Sequence, residues 1–220
     1  MIDKDNFLDG ISGAALWCGA DFDSADLAQA VSIAIDKNIE SLSVIPESVS
    51  IVWPWLENKD VDIFSRFYLK SENSESISDI TEKINSSFKQ GADGAQVFLS
   101  FADLEGFVSQ LYLIRDDLFF NKSVFIGMDI SEIGPFDWKR IFAELKKMRA
   151  TGLILALTKD EGDKSDFVGR VYAALNELDA DDISLHFMLG ANKTRIEQVY
   201  RLVEAIRPNL LAKLKFFINA

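Results

Sequence analysis

The sequence predicts a single α/β domain over residues 1–220 that folds as a (β/α)8 TIM barrel. Short apolar runs recur about every 25–30 residues, and each is typical of a strand buried on both faces of a parallel sheet. All but the last are followed by a stretch whose apolar residues recur at helical spacing. Because parallel strands need crossover connections and eight of them close into a ring, this alternation favours a closed barrel.

Eight apolar segments are the predicted strands. In chain order they are Ala14–Gly19, Ile39–Ile45, Val61–Leu69, Ala95–Phe101, Ser123–Ile130, Gly152–Leu157, Ile183–Leu189 and Leu214–Ile218. The sixth shows the pattern most clearly, because an uninterrupted apolar run breaks into polar residues at Thr158–Glu161. Chemistry in α/β folds lies at such carboxyl ends of strands. No helical pattern follows the eighth segment, so we expect the barrel to lack its final helix.

Capping residues and prolines set the expected ends of the helices. Ser24 and Asp26 are predicted to cap the first helix, and Pro46 to open the second. Pro54 should kink or shorten the second helix, because a proline in a helix interior has no N–H to donate. The helix after the fifth strand is expected to start near Asp137.

An open, doubly wound sheet is the alternative architecture. That fold normally carries a glycine-rich phosphate turn after its first strand. The segment Trp17–Ser24 has one glycine, and it places two acids where the phosphates of a dinucleotide would bind. The sequence therefore favours the barrel.

Composition argues against several classes of function. With 23 Lys and Arg against 35 Asp and Glu, the chain has a formal net charge of −12. A negative field repels nucleic acid and anionic lipid, so we expect neither partner. One cysteine, Cys18, and one histidine, His186, rule out an internal disulfide and a His-rich or Cys-based metal cage, and we expect neither metal nor cofactor. An acidic amino terminus, and no apolar run near the ~20 residues of a membrane span, predict a cytoplasmic protein.

Three residues at strand ends are candidates for catalysis, namely Lys159, Asp129 and Gln96. Lys159 follows the sixth strand, and a lysine at an apolar barrel mouth can lose its proton and attack a carbonyl carbon. A solvated loop lysine is the alternative interpretation. Asp129 ends the fifth strand, where its carboxylate either takes part in chemistry or caps the next helix. His186 is interpreted as a hydrogen-bonded core histidine, with a proton donor at the barrel mouth as the alternative. Cys18 is interpreted as a buried structural thiol, with a nucleophile as the alternative.

A cationic patch is predicted on the third strand. Arg66 and Lys70 share the strand parity of Phe64 and Tyr68. If this parity faces the barrel interior, the two cations form a site for a small anionic metabolite. If it does not, both lie on the outside of the barrel.

The turn after the seventh strand is the second candidate anion site. A glycine ends the strand, Thr194 is expected to start the next helix, and Lys193 adds a positive charge. Backbone N–H groups at a helix start attract phosphate, and barrel enzymes often bind phosphate after strands seven and eight. The predicted site consists of Gly190, Ala191, Asn192, Lys193 and Thr194.

The order of several segments resembles that of deoxyribose-phosphate aldolases, which are class I Schiff-base barrel enzymes. The segments that carry the resemblance are Ser43–Ser48, Phe88–Asp93, Ala95–Leu99, Val124–Ile130, Thr151–Lys159 and His186–Thr194. The resemblance implies a TIM barrel and a carbon–carbon lyase that binds a phosphorylated substrate. It spans roughly Leu16 to Ile218.

The reacting groups that the resemblance implies are missing from their expected positions. The Schiff-base lysine of strand six falls on Ala156, the acid of strand four on Gln96, and the second lysine, in strand seven, on Phe187. Without an amine on the strand there is no imine, and therefore no electron sink for carbon–carbon cleavage. Ala156 and Phe187 are expected to fill the mouth with apolar groups.

Three hypotheses follow from these observations. The first is a diverged aldolase-like barrel that binds a small phosphorylated or carboxylated metabolite and lacks the Schiff-base lysine. The second is an active class I aldolase that uses Lys159. The third is a non-catalytic homo-oligomeric scaffold, because Trp53, Trp55 and Phe119–Phe120 are large apolar groups in or beside outer helices.

Overall fold

In a computed structural model of the protein, eight parallel strands close into a barrel. The structure describes residues 13–69, 77–112, 121–157, 164–178, 183–190 and 192–220. Each strand pairs with the next one along the chain, and the last pairs with the first. The strands are β1 (Ala14–Trp17), β2 (Ser41–Val44), β3 (Asp62–Tyr68), β4 (Gly94–Phe98), β5 (Ser123–Asp129), β6 (Gly152–Ala156), β7 (Ser184–Met188) and β8 (Leu214–Asn219). The predicted barrel is confirmed, and the open-sheet alternative is wrong.

Seven α-helices alternate with these strands in the described part of the chain. They are α1 (Ser24–Asp36), α2 (Pro46–Leu56), α3 (Ile77–Lys89), α4 (Phe101–Tyr112), α5 (Trp138–Met148), α6 (Lys164–Glu177) and α7 (Lys193–Ile206). Short 3-10 helices occupy Ile130–Glu132 and Pro208–Lys213. The described residues hold no helix after β8, as predicted, and none of their helices has the length and apolar character needed to cross a membrane.

The helix ends follow the sequence signals with one correction. Asp23, and not Ser24, is the amino-terminal cap of α1: its Oδ1 accepts hydrogen bonds from the backbone N–H groups of Ala25 at 2.7 Å and Asp26 at 3.0 Å. The Asp26 carboxylate accepts in return from the Asp23 N–H at 3.2 Å, which completes a capping box. Helix α2 begins at Pro46 and ends two residues after Pro54.

The strand residues divide into an outer and an inner set. Outward side chains of all eight strands pack with the helices into two large apolar clusters. The inner set forms a smaller, largely aromatic cluster of Ala15, Trp17, Phe64, Phe98, Phe125, Ile154, Ala156, Met188 and Phe217. Because both faces of the wall are buried, the strands are almost continuously apolar.

Three inward phenylalanine rings each lie over a glycine of the neighbouring strand. The pairs, which are also register partners, are Phe64 over Gly94, Phe98 over Gly127 and Phe125 over Gly152. A Cβ at Gly127 would lie 2.3 Å from Cδ1 of Phe98, and real Cβ atoms do not approach other atoms so closely. Glycine on one strand therefore makes room for the ring on the strand before it.

We expect Gly127→Ala to destabilise the protein by about 1–3 kcal/mol, because the added methyl group displaces a packed ring. Urea denaturation measures the change in the free energy of unfolding. Gly106→Ala is the control, since a Cβ at this exposed helical position meets no atom within 4 Å and alanine favours a helix. A Gly127→Ala protein as stable as the wild type would contradict this account of the interior.

Candidate functional site at the carboxyl end of the barrel

Aromatic side chains line the carboxyl-terminal end of the barrel interior. The Trp17 ring makes edge contacts with Phe98, at a centroid distance of 5.4 Å, and with Phe217, at 5.6 Å. Tyr68 stacks on Phe98 at 5.3 Å, and 45% of its surface is exposed. The mouth is therefore an apolar, ring-lined surface.

Arg66 lies beneath these rings and faces the interior, so the parity predicted for a cationic patch is the inward one. It is 3% exposed. Its guanidinium carbon sits 4.1 Å from the centroid of the Trp17 ring, a cation–π contact. Nη2 donates to the carbonyl oxygen of Cys18, and Nη1 donates to that of Ser43 at 3.4 Å. Arg66 thus ties β3 to the ends of β1 and β2.

No carboxylate balances the charge of Arg66 among the described residues. Its Nε has no hydrogen-bond partner there. Burial lowers the pKa of Arg66 below its usual range. Burial also raises the pKa of Tyr68, and it raises that of Cys18 to about 12, although the Arg66 charge opposes both shifts. Both neighbouring groups are therefore neutral at pH 7, and the guanidinium is a buried cation held by carbonyl dipoles and an aromatic face.

Gln96 lies beside Arg66 on the adjacent strand, as its register partner in the β3–β4 pair. Its side chain is fully buried. Its Oε1 accepts a hydrogen bond from Ser43 Oγ at 2.7 Å, while its Nε2 has no partner among the described residues. Two neighbouring strands thus present two buried, unpartnered N–H donors.

The inward position at the end of β6 carries a methyl group, because Ala156 belongs to the inner cluster. At the inward positions of the described strands Lys215 is the one lysine. Its Nζ forms an ion pair with Glu40 Oε2 at 2.8 Å, at the amino-terminal end of the barrel. Lys159 and Lys70 lie outside the described residues, so their predicted roles remain predictions.

Phe187 does not fill the mouth, contrary to expectation. Its ring packs outward among the helices and stacks on Phe216 at 5.9 Å. Met188, the next residue, belongs to the inner cluster with Ala156. Side chains of a strand alternate between its two faces, so a shift of one residue exchanges inside for outside.

His186 and Cys18 are buried, as predicted. The His186 ring stacks on Phe125 at 4.5 Å, and its Nδ1 has no hydrogen-bond partner among the described residues. The histidine is therefore held in the core by ring stacking, and no hydrogen bond at Nδ1 adds to it. Burial, and then the charge of Lys215, lower the pKa of His186 to about 3. The imidazole is therefore neutral at physiological pH.

Asp129 acts as a cap. Its Oδ1 accepts a hydrogen bond at 2.8 Å from the N–H of Ser131, which starts the 3-10 helix after β5. This contact matches the structural alternative predicted for Asp129. A catalytic role for it remains a prediction.

The turn after β7 differs in one respect from the prediction. Helix α7 begins at Lys193, and its cap is Asn192, whose side chain accepts from the Arg195 N–H at 3.1 Å. Thr194 is therefore the second residue of the helix and not its start. Gly190 has a φ of 63°, which glycine adopts without strain. Ala191 lies outside the described residues, and anion binding at this turn stays a prediction.

Sequence reasoning missed Trp17 and Ser43 as parts of this site. The signal for Ser43 was present in β2, where Ser41 and Ser43 alternate with Leu42 and Val44. Polar residues at a period of two in a buried strand indicate a polar row on one face. Trp17 gave no such signal, since β1 is apolar on both faces.

Among the described residues no group of three or more His, Cys, Asp and Glu side chains is placed to hold a metal ion. The buried charged side chain at this end of the barrel, among the described residues, is Arg66.

No protein-family model and no curated protein matches the sequence. Solved structures do match over almost the whole chain. A provisionally named deoxyribose-phosphate aldolase from Toxoplasma gondii has a TM-score of 0.74 at 14% identity, covering 99% of this chain and 92% of that one. The tetrameric deoxyribose-phosphate aldolase from Aeropyrum pernix has a TM-score of 0.71 at 11% identity, covering 99% and 88%.

The chain has the fold of the deoxyribose-phosphate aldolases. The resemblance predicted from the sequence is confirmed at the level of the fold, at identities of 11–14%. The same barrel occurs in a provisionally named copper homeostasis protein, CutC, from Streptococcus agalactiae, with a TM-score of 0.66 at 11% identity, covering 94% of this chain and 98% of that one. The aldolase fold therefore carries more than one function, and activity must be argued from the site.

We expect Cys18 to resist thiol reagents in the folded protein, because the thiolate is the reactive form and the pKa of this thiol is about 12. Labelling with Ellman's reagent at pH 8 should be negligible in buffer and should reach one thiol per chain in urea. The chain has a single cysteine, so the signal has one source. Rapid labelling of the folded protein would contradict the assignment.

We expect His186 to make stability fall as the pH is lowered. In the unfolded chain a histidine takes up its proton near pH 6.5, whereas the folded one stays neutral down to about pH 3. Between these values protonation favours unfolding, by about 2 kcal/mol at pH 5 relative to pH 7.5.

His186→Phe should remove this pH-dependent part of the free energy of unfolding. Urea denaturation of both proteins at the two pH values measures it, since other groups titrate alike in both and cancel. An equal stability difference at both pH values would contradict the prediction.

Proposed function

We propose that this chain is a diverged aldolase-like barrel protein that binds a small phosphorylated or carboxylated metabolite at the carboxyl end of its barrel, without Schiff-base chemistry on β6. The observation that supports this most strongly is Arg66, a buried guanidinium without a carboxylate partner among the described residues.

Burying an unpaired charge is unfavourable, because water solvates an ion better than a protein interior does. The carbonyl groups of Cys18 and Ser43 and the Trp17 ring compensate only part of this loss for Arg66. An anion seated against the guanidinium would complete the compensation. The low effective dielectric of the interior would strengthen that attraction.

The chemistry of the described mouth argues against an imine. A Schiff base needs a nucleophilic amine, and the guanidinium of an arginine stays protonated. Ala156 offers only a methyl group at the strand-six position. Gln96 stands where the resemblance places an acid, and an amide does not exchange protons as a carboxyl group does.

Three predicted roles stay part of the proposal. Lys70, which shares the strand parity of Arg66 in the sequence, is predicted to add a second cation, the turn Gly190–Thr194 is predicted to offer backbone N–H groups, and Lys159 is the nucleophile if the protein is an active aldolase. Homo-oligomer formation also stays a prediction. Trp53 and Trp55 are 38% and 40% exposed on α2, and Phe119–Phe120 lie outside the described residues.

Calorimetric titration with inorganic phosphate, 2-deoxyribose 5-phosphate and phenylacetate tests the proposal. At least one of these anions should bind, and Arg66→Met should weaken that binding tenfold or more, because it removes the buried cation that faces the barrel interior. Arg140→Met is the matched control, since the Arg140 side chain is 57% exposed and pairs with Glu105 on the surface.

Borohydride treatment with 2-deoxyribose 5-phosphate, followed by mass spectrometry, tests the chemistry. The proposal predicts no lysine adduct, whereas an adduct on Lys159 would establish the active-aldolase alternative. Binding of none of the three anions, or equal binding by Arg66→Met and the wild type, would contradict the proposed anion site.

A further inference from the structure

We propose that the anion bound at this site is a carboxylate carried by a flat apolar body, and not a phosphate ester. This inference rests on the proposed function and specifies its substrate class. It follows from the donors that are left over at the mouth, from the charge available there and from the shape of the walls.

The donors left over are one N–H group on each of two adjacent strands. The Nη groups of Arg66 are directed to the carbonyls of Ser43 and Cys18, so Nε is the guanidinium nitrogen without a partner in the described structure. Ser43 Oγ holds Gln96 Oε1, so Nε2 is the amide atom without one. Arg66 and Gln96 are register partners. Two fixed donors on neighbouring strands suit the two oxygens of a carboxylate.

At the inward positions of the described strands, the carboxyl end of the barrel carries one cation, Arg66. Phosphate monoesters carry about −1.5 to −2 at pH 7 and three strong acceptor oxygens. A carboxylate carries one negative charge, which Arg66 alone balances. The other cation at an inward position of the described strands, Lys215, is paired with Glu40 at the opposite end of the barrel. A phosphate ester would bring more negative charge to Arg66 than one guanidinium balances.

The walls above Arg66 are aromatic faces and edges. Trp17, Tyr68, Phe98 and Phe217 contact one another at centroid distances of 5.3 to 5.6 Å. A ligand whose carboxylate reaches Arg66 must place the rest of its body among these rings, which favour a flat apolar group. Trp17 lies over the guanidinium and is half-buried, so a ligand bound to Arg66 would contact this ring.

The experiment compares three probes. Phenylacetate shares its ring with phenyl phosphate and its carboxylate with acetate. Phenylacetate, phenyl phosphate and acetate are titrated against the full chain by calorimetry and tryptophan fluorescence. We expect phenylacetate to bind at least tenfold more tightly than the other two. Arg66→Lys, which keeps the charge but loses Nε, and Gln96→Leu, which loses Nε2, should each weaken phenylacetate binding about tenfold or more. Arg140→Met should bind as the wild type does.

Trp17→Phe provides a readout that does not depend on changing Arg66. The chain has four tryptophans, and the emission change on adding phenylacetate should be lost in this variant. The test therefore remains decisive even if Arg66→Lys or Gln96→Leu fails to fold.

The outcomes separate this inference from the proposed function. Phenyl phosphate binding more tightly than phenylacetate, with both weakened by Arg66→Lys, would overturn the carboxylate inference and leave the anion site standing. Binding of none of the probes would overturn both. Phenylacetate binding that Arg66→Lys, Gln96→Leu and Trp17→Phe all leave unchanged would place the ligand elsewhere and overturn this inference.

Discussion

The interior of the barrel is filled by phenylalanine rings that use the space left by glycines on the next strand. A ring of eight strands closes only if its inward side chains fit together without gaps or overlap. Phe98 occupies the place where a side chain of Gly127 would stand, and the same arrangement recurs at Gly94 and Gly152. Phenylalanine rings therefore fill the interior between β3 and β6. The main polar contacts of the interior lie among the strands β1 to β4.

The candidate site is a consequence of that division. Arg66 spans from β3 to the carbonyl groups of β2 and of Cys18, which follows β1, and Gln96 spans from β4 to Ser43. These contacts hold the side chains of Arg66 and Gln96 in fixed orientations below the aromatic rings of the mouth. Such preorganisation allows a ligand to bind without the cost of ordering the groups that receive it. The same low-dielectric surroundings that make an unpaired guanidinium unfavourable make its attraction to an anion strong.

The sequence predicted the architecture well, because each buried strand appears as an apolar run and each crossover as a helical pattern. It predicted the site only in part. The sequence left open whether Arg66 points inward or outward, because a strand that is apolar on both faces does not reveal which of its alternating side chains face the barrel axis. Phe187 was placed at the mouth for the same reason, and Met188 takes that position. The fit of Phe98 over Gly127 depends on the register between strands, which no single segment encodes. Asn192 and Thr194 are both good caps, and only the fold selects the first.

The central claim is that the buried guanidinium of Arg66 receives an anion. The most direct measurement follows the arginine Nε–H resonances by proton–nitrogen NMR during a titration with phenylacetate, with the Arg66 signal assigned by its loss in Arg66→Lys. The account predicts that this resonance moves to lower field and saturates with the ligand, as an N–H does when it gains a charged acceptor. An Arg66 resonance that stays unchanged while phenylacetate, phenyl phosphate and inorganic phosphate are each raised to millimolar concentration would contradict it.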